Sequence, residues 1–499
     1  MTRFDGTTRG PRGLARLTAA AALLLLPLLT APAAVAESVC ADDDRDVFAG
    51  APRYSGSRGA VDVHQAGRAP QVLTRSSLHA GAATAGDEFG ASVAHERSGT
   101  GCALLVIGAP GVNHGRGAVY VAVDSATGFA HGPAALVVAP PGTGADRFGE
   151  RVLLSRSVTD GPDTFDLWVG APRRDVGSAT DAGAIERYRL TRTPGTDGVA
   201  VMHVQTLRQG TTAVPGTTAE VGDRFGEVLA GAERGIVVGV PHEDVGTRID
   251  AGMVTMIGWS AGTYRGLRNL TQNTAGVAGT AESGDRFGAA LTDCANVIGA
   301  PGEDLGRLAD AGMVQVLNGC DPRHLSPARG LTQNSPGVPG ADEAGDRFGA
   351  AVALTFSAED GTSVFIGIPG EDLGSVRDAG AVVGEYACGV PPCGWRGFTQ
   401  GEDLAGAAEA GDRLGSSLAL RDFYRVDEGG SVVHETSFPL AGAPGEDLGA
   451  VRDAGAAYGR ALNGSGGVDL TSVKFSAGPR TGLGFGTVIA TDTYGYPDA

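Results

Sequence analysis

Lysine is almost missing from this chain: Lys474 is the single one in 499 residues. Positive charge therefore rests on arginine, a bias of GC-rich, bacterial coding rather than of mechanism. Acidic residues outnumber basic ones and the formal net charge is −18. That balance argues against nucleic acid or an anionic membrane as the main partner. It suits cations, basic surfaces or plain solubility. No apolar run beyond residue 36 approaches the roughly 18 residues of a helical membrane span. Glycine is abundant, yet no G-X-Y period exists, which excludes collagen. The histidines recur at no aligned position and form no HExxH or similar ligand spacing. No long segment carries a helical period. What remains is a β-rich chain with many tight turns.

The first residues read as a leader. Arg3, Arg9, Arg12 and Arg16 precede an apolar run from Leu17 to Thr30, and Ala34-Val35-Ala36 supplies an A-x-A exit. This is the form of a secretory signal peptide over residues 1–36. The expected mature chain is secreted and extracellular, where disulfides persist.

Two short texts recur through the rest. An aromatic-glycine step stands at Phe89, Phe148, Phe225, Phe287, Phe348, Leu414 (a conservative replacement) and Phe485. A Gly-Ala-Pro step stands at Gly50, Gly108, Gly170, Gly239 (as Gly-Val-Pro), Gly299, Gly367 (as Gly-Ile-Pro) and Gly442. The copy from Gly284 to Leu317, continued to Asn334, holds four strand candidates: FGAALT, CANVIGAP, AGMVQVL and ARGLTQN. Four strands repeated in seven copies predict an all-β, seven-bladed β-propeller of four-stranded blades. The ends complement one another. The chain after the leader begins with a Gly-Ala-Pro strand that lacks its Phe-Gly partner, and it finishes with a Phe-Gly strand that lacks Gly-Ala-Pro. Pairing N-terminal strands with the C-terminal strand closes the ring and removes two open edges. The expected domain is a single propeller over 37–499, with blades of about 37–85 plus 479–499, 86–143, 144–220, 221–283, 284–344, 345–410 and 411–478. Structural duties account for the repeated residues: Phe to fill the core between blades, Gly for turns and close approach, Pro to end pairing.

These paired steps, and the phrase LTQNSPGVPGADEAGDRFG (331–349) echoed at 270–288, resemble the FG-GAP repeats of the integrin α-subunit propeller and of secreted actinobacterial relatives. The resemblance spans 37–499. It implies a seven-bladed propeller that binds partners in adhesion, and some family members are parts of hydrolases. Many such repeats carry a D-x-D/N-x-D-G-type calcium loop between the Phe-Gly and Gly-Ala-Pro strands. Here that interval is short and poor in carboxylates, as in ALTDCANVI (290–298) and EVLAGAERGIVV (227–238). Calcium takes six to eight oxygens. Its nearest approach is split over the ends, with Asp42 and Asp44 facing Asp492 and Asp498. Exposed acidic clusters more often stay solvated, so no cofactor is assigned and calcium there is kept as the alternative.

Acidic residues recur instead after Gly-Ala-Pro, in PGEDLG-x3-DAG. They are Glu303, Asp304 and Asp310; Glu371, Asp372 and Asp378; Glu446, Asp447 and Asp453; with variants Glu243, Asp244 and Asp250, and Asp175 and Asp181. The resemblance places these second-to-third-strand loops on the partner-binding face, so they are ligand-face candidates. The plainer reading is architectural. Each Asp would bond backbone N–H groups of its own turn or pair with the Arg of GDRFG. Repetition in five copies favours the plainer reading.

Gly258-Trp259-Ser260-Ala261-Gly262 matches G-x-S-x-G, but a nucleophile elbow needs a strand-to-helix turn. This copy lies between strands and is expected to be a hairpin, so no catalytic residue is assigned. Six cysteines allow fifteen pairings. Register suggests Cys294–Cys320, Cys388–Cys393 and Cys40–Cys102. The expected function is a secreted binding or adhesion module that takes an extracellular protein or polysaccharide ligand and acts as a monomer. The alternatives are an extracellular hydrolase with a loop-built site and a structural propeller of the cell envelope.

Overall fold

The computed structural model describes residues 47–491, except 66–67, 98–102, 126–127, 130–133, 139–143, 158–159, 162, 194–197, 322–323, 325, 358–360, 387–393, 427–431, 448, 451, 460–472 and 476–487. The proposed leader, Asp42, Asp44, Asp492, Asp498, Cys40, Cys102, Cys388, Cys393 and Phe485 lie outside the described residues.

Seven antiparallel sheets of four strands make up the fold. Blade 1 joins Val47–Ala51, Ala60–His64 and Gln71–Leu73 to Val488–Thr491, the last strand among the described residues. Phe48 pairs with Ala490, so the two ends close one blade as expected. Blade 2 runs from Ser92–Arg97 to Ala135–Val138, and blade 3 from Arg151–Arg156 to Val199–Leu207. Blade 4 runs from Val228–Ala232 to Thr263–Leu270, and blade 5 from Ala290–Leu291 to Ser326–Leu331. Blade 6 runs from Ala351–Ser357 to Gly394–Phe398, and blade 7 from Ser417–Val426 to Val473–Phe475. The first strand of each blade touches the first strand of the next all the way round, with Val488–Thr491 serving for blade 1. These are the innermost strands of a closed seven-bladed β-propeller.

The repeated steps explain the joints. Phe89, Phe148, Phe225, Phe287, Phe348 and Leu414 are fully buried. Phe348 packs with Val297 and Val314 of blade 5 and with Ile366 of blade 6, so the core lies between blades. Its N–H donates to the Ala311 carbonyl of the preceding blade at 2.9 Å. The glycine of Gly-Ala-Pro answers a different need. A β-carbon at Gly299 would sit 2.1 Å from the Gly349 carbonyl oxygen of the next blade. Only glycine lets the two backbones approach that closely. Repeating this contact around the ring fixes the distance between blades.

The second-to-third-strand loop and the loop into the next blade leave from the same end, because every blade repeats the same strand order. They meet at the seam between neighbouring blades. The G-x-S-x-G segment is the expected hairpin: Ser260 pairs with Thr263, and Ala261 and Gly262 take positive φ of 52° and 82°. Cys294 and Cys320 are joined, with Cα atoms 4.6 Å apart.

Candidate functional site

In blade 5 the second strand, Val297–Ala300, ends at Pro301, which has no N–H to continue the ladder. The chain then turns tightly. Leu305 and Leu308 exchange backbone hydrogen bonds of 3.0 and 3.3 Å. Asp304 Oδ1 accepts the N–H of Asp310 at 2.9 Å. The same bond joins Asp175 to Asp181, Asp244 to Asp250, Asp372 to Asp378 and Asp447 to Asp453, at 2.8 to 3.1 Å. The second Asp of each pair has positive φ, from 48° to 53°, a conformation that Asp tolerates better than most residues. One oxygen of the first Asp is therefore architectural. Among the described residues no turn Asp forms an ion pair with a GDRFG arginine; Arg147, for one, binds Glu88 and Glu150. Asp304, Asp310, Asp378 and Asp453 are exposed, and Asp244, Asp250, Asp372 and Asp447 are half-buried.

The glutamates of PGEDLG do something else. Glu243, Glu303 and Glu446 are buried, and Glu371 is half-buried. Each accepts a hydrogen bond from a glutamine at the end of the preceding blade. Gln209 donates to Glu243 at 2.6 Å, Gln272 to Glu303 at 2.5 Å, Gln333 to Glu371 at 2.7 Å and Gln400 to Glu446 at 2.5 Å. These glutamines are the third residue of the Leu-Thr-Gln text and its variants. Beside each pair lies the Asp of GDRFG: Asp223, Asp285, Asp346 and Asp412, all 1% exposed. Each of these accepts the N–H of a glutamate three residues earlier, at 2.6 to 2.7 Å.

A buried Asp thus stands beside a buried Glu at three of the four seams from blade 3 to blade 7, and beside the half-buried Glu371 at the fourth. Burial pushes Asp285 up to about 7, and repulsion from Glu303, Glu282 and Asp304 adds to it against the lowering Glu282 N–H. Asp346 and Asp412 are likewise pushed up to about 7. Asp223 rises to about 6, and Glu243 to about 8, with burial the first cause and neighbouring carboxylates adding.

The other two described seams carry arginine. Between blades 1 and 2, Arg75 stands in the register of the glutamine and binds Asp87 at 2.5 Å. Between blades 2 and 3, Arg174 stands in the register of the glutamate and binds Asp146 at 2.6 Å. Arg174 also reaches buried Glu186, which His203 and Thr206 contact at 2.6 and 2.7 Å. Blades 1 and 2 also lack the acidic turn; short turns at Tyr54–Ser57 and Val112–Gly115 replace it. A cavity of about 480 Å³ opens there, lined by Arg75, Thr84, Asp87, Asn113, His114 and Arg147.

One cluster breaks the repeat. His242 of blade 4 holds the register of Gly302, Gly370 and Gly445. Its Nδ1 lies 2.9 Å from Asp250, and its Nε2 lies 3.6 Å from Glu227 and 3.3 Å from Arg224. The sequence pattern did not point to it, since a lone histidine in a loop carries no spacing signal. The seam glutamines were equally overlooked, although their recurrence before the four copies that carry a glutamate was a usable sign.

The family-type calcium loop finds no support where the first-to-second-strand connection is described. In blade 4 it is the short Glu233-Arg234 turn. In blade 5 it is Asp293–Ala295, whose Asp293 is engaged by the Gly231 N–H at 2.7 Å. Among the described residues no group of three or more His, Cys, Asp or Glu side chains could hold a metal ion, and no helix is long and apolar enough to cross a membrane.

No family model matches the chain, and no curated protein matches it. Solved structures are similar at low identity. The α-L-arabinofuranosidase Arb93A of Fusarium graminearum, in complex with an iminosugar inhibitor, is 11% identical, with a TM-score of 0.37 over 77% of this chain and 92% of that one. Sqt1 of Chaetomium thermophilum is 9% identical, with a TM-score of 0.36 over 78% and 86%. The SREBP–SCAP binding domains of fission yeast are 11% identical, with a TM-score of 0.33 over 76% and 80%. Likeness at this level carries no functional argument.

Proposed function

We propose that this chain is a secreted propeller of the FG-GAP, integrin-α-like kind that acts as a monomeric extracellular binding or adhesion module. The observation that carries the reading is the set of five acidic turns, alike in geometry and leaving from one end of the ring. Their outer carboxylates, Asp310, Asp378 and Asp453, are exposed. Such a rim favours a basic protein surface over a neutral polysaccharide, because like charge is repelled and opposite charge speeds encounter. Surface plasmon resonance of the full chain against poly-L-arginine and neutral dextran tests this. The triple substitution Asp310→Asn, Asp378→Asn and Asp453→Asn keeps residues that tolerate positive φ. It should weaken polycation binding roughly tenfold at low salt. Unchanged binding would contradict the rim as the binding face.

A hydrolase on the same scaffold is the second reading. It is favoured by His242 held between Asp250 and Glu227, a carboxylate-oriented imidazole of the kind used in acid–base chemistry. Ester or glycoside turnover that disappears in His242→Ala would establish it.

A further inference from the structure

The arginine of GDRFG occupies one backbone seat at five seams, and a glutamate occupies it at a sixth. Glu88, Arg147, Arg224, Arg286, Arg347 and Arg413 each donate a backbone N–H to a carbonyl in the second-to-third-strand loop of the preceding blade, at 2.8 to 3.1 Å. All six have positive φ, from 54° to 59°. Glycine adopts that conformation freely, whereas glutamate and arginine are strained in it. The seventh copy has Gly484 at this position. The backbone alone therefore does not select arginine, and a strained residue that recurs points to a duty of its side chain.

That duty differs around the ring. Arg147 reaches across its seam to Glu88 and along its own turn to Glu150, both at 2.6 Å. Side chains in neighbouring seats can therefore touch. Arg224 lies 3.8 Å from Glu227 and 3.3 Å from His242. In the next three copies that helper carboxylate is gone: Ala289, Ala350 and Ser416 stand in the register of Glu150 and Glu227. Arg286, Arg347 and Arg413 are exposed, and among the described residues their guanidinium groups form no ion pair and no hydrogen bond. The seat of Arg347 has an arginine on either side. Three adjacent blades thus present like charge without internal compensation, at the end of the ring from which the acidic turns leave.

We propose that Arg286, Arg347 and Arg413 bind the carboxylates of a short acidic segment of a protein partner. A guanidinium takes a carboxylate through two parallel N–H donors, and three of them in successive blades suit a run of Asp or Glu side chains. The charges beside the seats favour protein over a sulfated polymer. Asp310 and Asp378 are exposed, and their carbonyls accept the N–H groups of Arg347 and Arg413. A polymer of uniform negative charge meets these aspartates as it meets the arginines, and is repelled. A protein segment can set acid against arginine and a neutral or basic residue against aspartate. The seats do not depend on the acidic rim taking a basic surface.

Fluorescence anisotropy of labelled hexa-L-glutamate with the full chain at low salt tests the proposal. The triple substitution Arg286→Asn, Arg347→Asn and Arg413→Asn removes the charges and keeps a residue that tolerates positive φ. It should weaken binding about tenfold, while Arg396→Asn on the outer strand of blade 6 should leave it unchanged. Sodium chloride at about 0.5 M should abolish binding to the parent chain. The urea midpoint of the triple variant should equal or exceed that of the parent, because asparagine relieves the strain. A lower midpoint would mean that the arginines hold the fold, which overturns the proposal. So does hexaglutamate that fails to bind at millimolar concentration, or binding that the triple substitution leaves unchanged. Tighter binding of a sulfated dextran of matched charge would assign the seats to a sulfated polymer and overturn the protein partner. Poly-L-arginine binding by the aspartate rim should survive in the triple variant, so the two readings fail separately.

Discussion

The seams flanking blade 2 and the four seams from blade 3 to blade 7 share a backbone and a buried Asp, but they treat its charge oppositely. Arg75 and Arg174 neutralise Asp87 and Asp146 from within the chain. Gln209, Gln272, Gln333 and Gln400 leave the carboxylates to neighbours of the same sign. A repeat protein can thus keep one fold while choosing, seam by seam, whether its stability is self-contained or linked to the solution. The arginine seams should tolerate changes of pH. The acidic seams should respond to them.

The sharpest way to break the comparison is to remove the internal cation. Arg174→Gln leaves Asp146 and Glu186 buried with one strong partner fewer, and one-sided loss of a buried ion pair costs about 3–5 kcal/mol. Urea unfolding should show the loss as a lower midpoint. A change below about 1 kcal/mol would mean that the seam relaxes and admits water.

The next effect belongs to the acidic seams. Asp223, Asp285, Asp346, Asp412 and Glu243 have folded values raised to between about 6 and 8. A raised carboxyl binds protons more tightly in the folded state than in the unfolded one. Its stabilisation is therefore complete near pH 4 and is lost as pH rises through the folded value. The melting temperature should fall by several degrees, on the order of 5 °C, between pH 5 and pH 8.5 and level off above. A melting temperature that rises over this window would contradict the burial of these groups.

The smallest effect is local. Asp372→Ala removes the acceptor for the Asp378 N–H, and loss of one such hydrogen bond costs about 1 kcal/mol. Measured by urea unfolding, the loss should match that of Asp304→Ala, because the two turns are copies.

Much of the fold was legible because the repeat is written twice in each blade. Phe-Gly marks the innermost strand and Gly-Ala-Pro the second, and the incomplete copies at the two ends foretell Phe48 pairing with Ala490. The Cys294–Cys320 bridge followed from register for the same reason. The site was less legible. PGEDLG reads as one acidic unit, yet its Glu points into the seam while its Asp closes the turn, and that division depends on a glutamine 31 to 46 residues earlier. The His242 cluster needs the fold to join residues that share no motif.

The pH dependence of stability tests the central claim most directly, read as urea midpoints of the full chain and of Gln272→Arg between pH 5 and pH 8.5. The account predicts a midpoint that falls as pH rises through the raised values of Asp223, Asp285, Asp346 and Asp412, and a shallower fall in Gln272→Arg, where an arginine enters the seam as Arg75 does beside Asp87. A midpoint that does not fall over this window, or a fall that Gln272→Arg leaves unchanged, would contradict it.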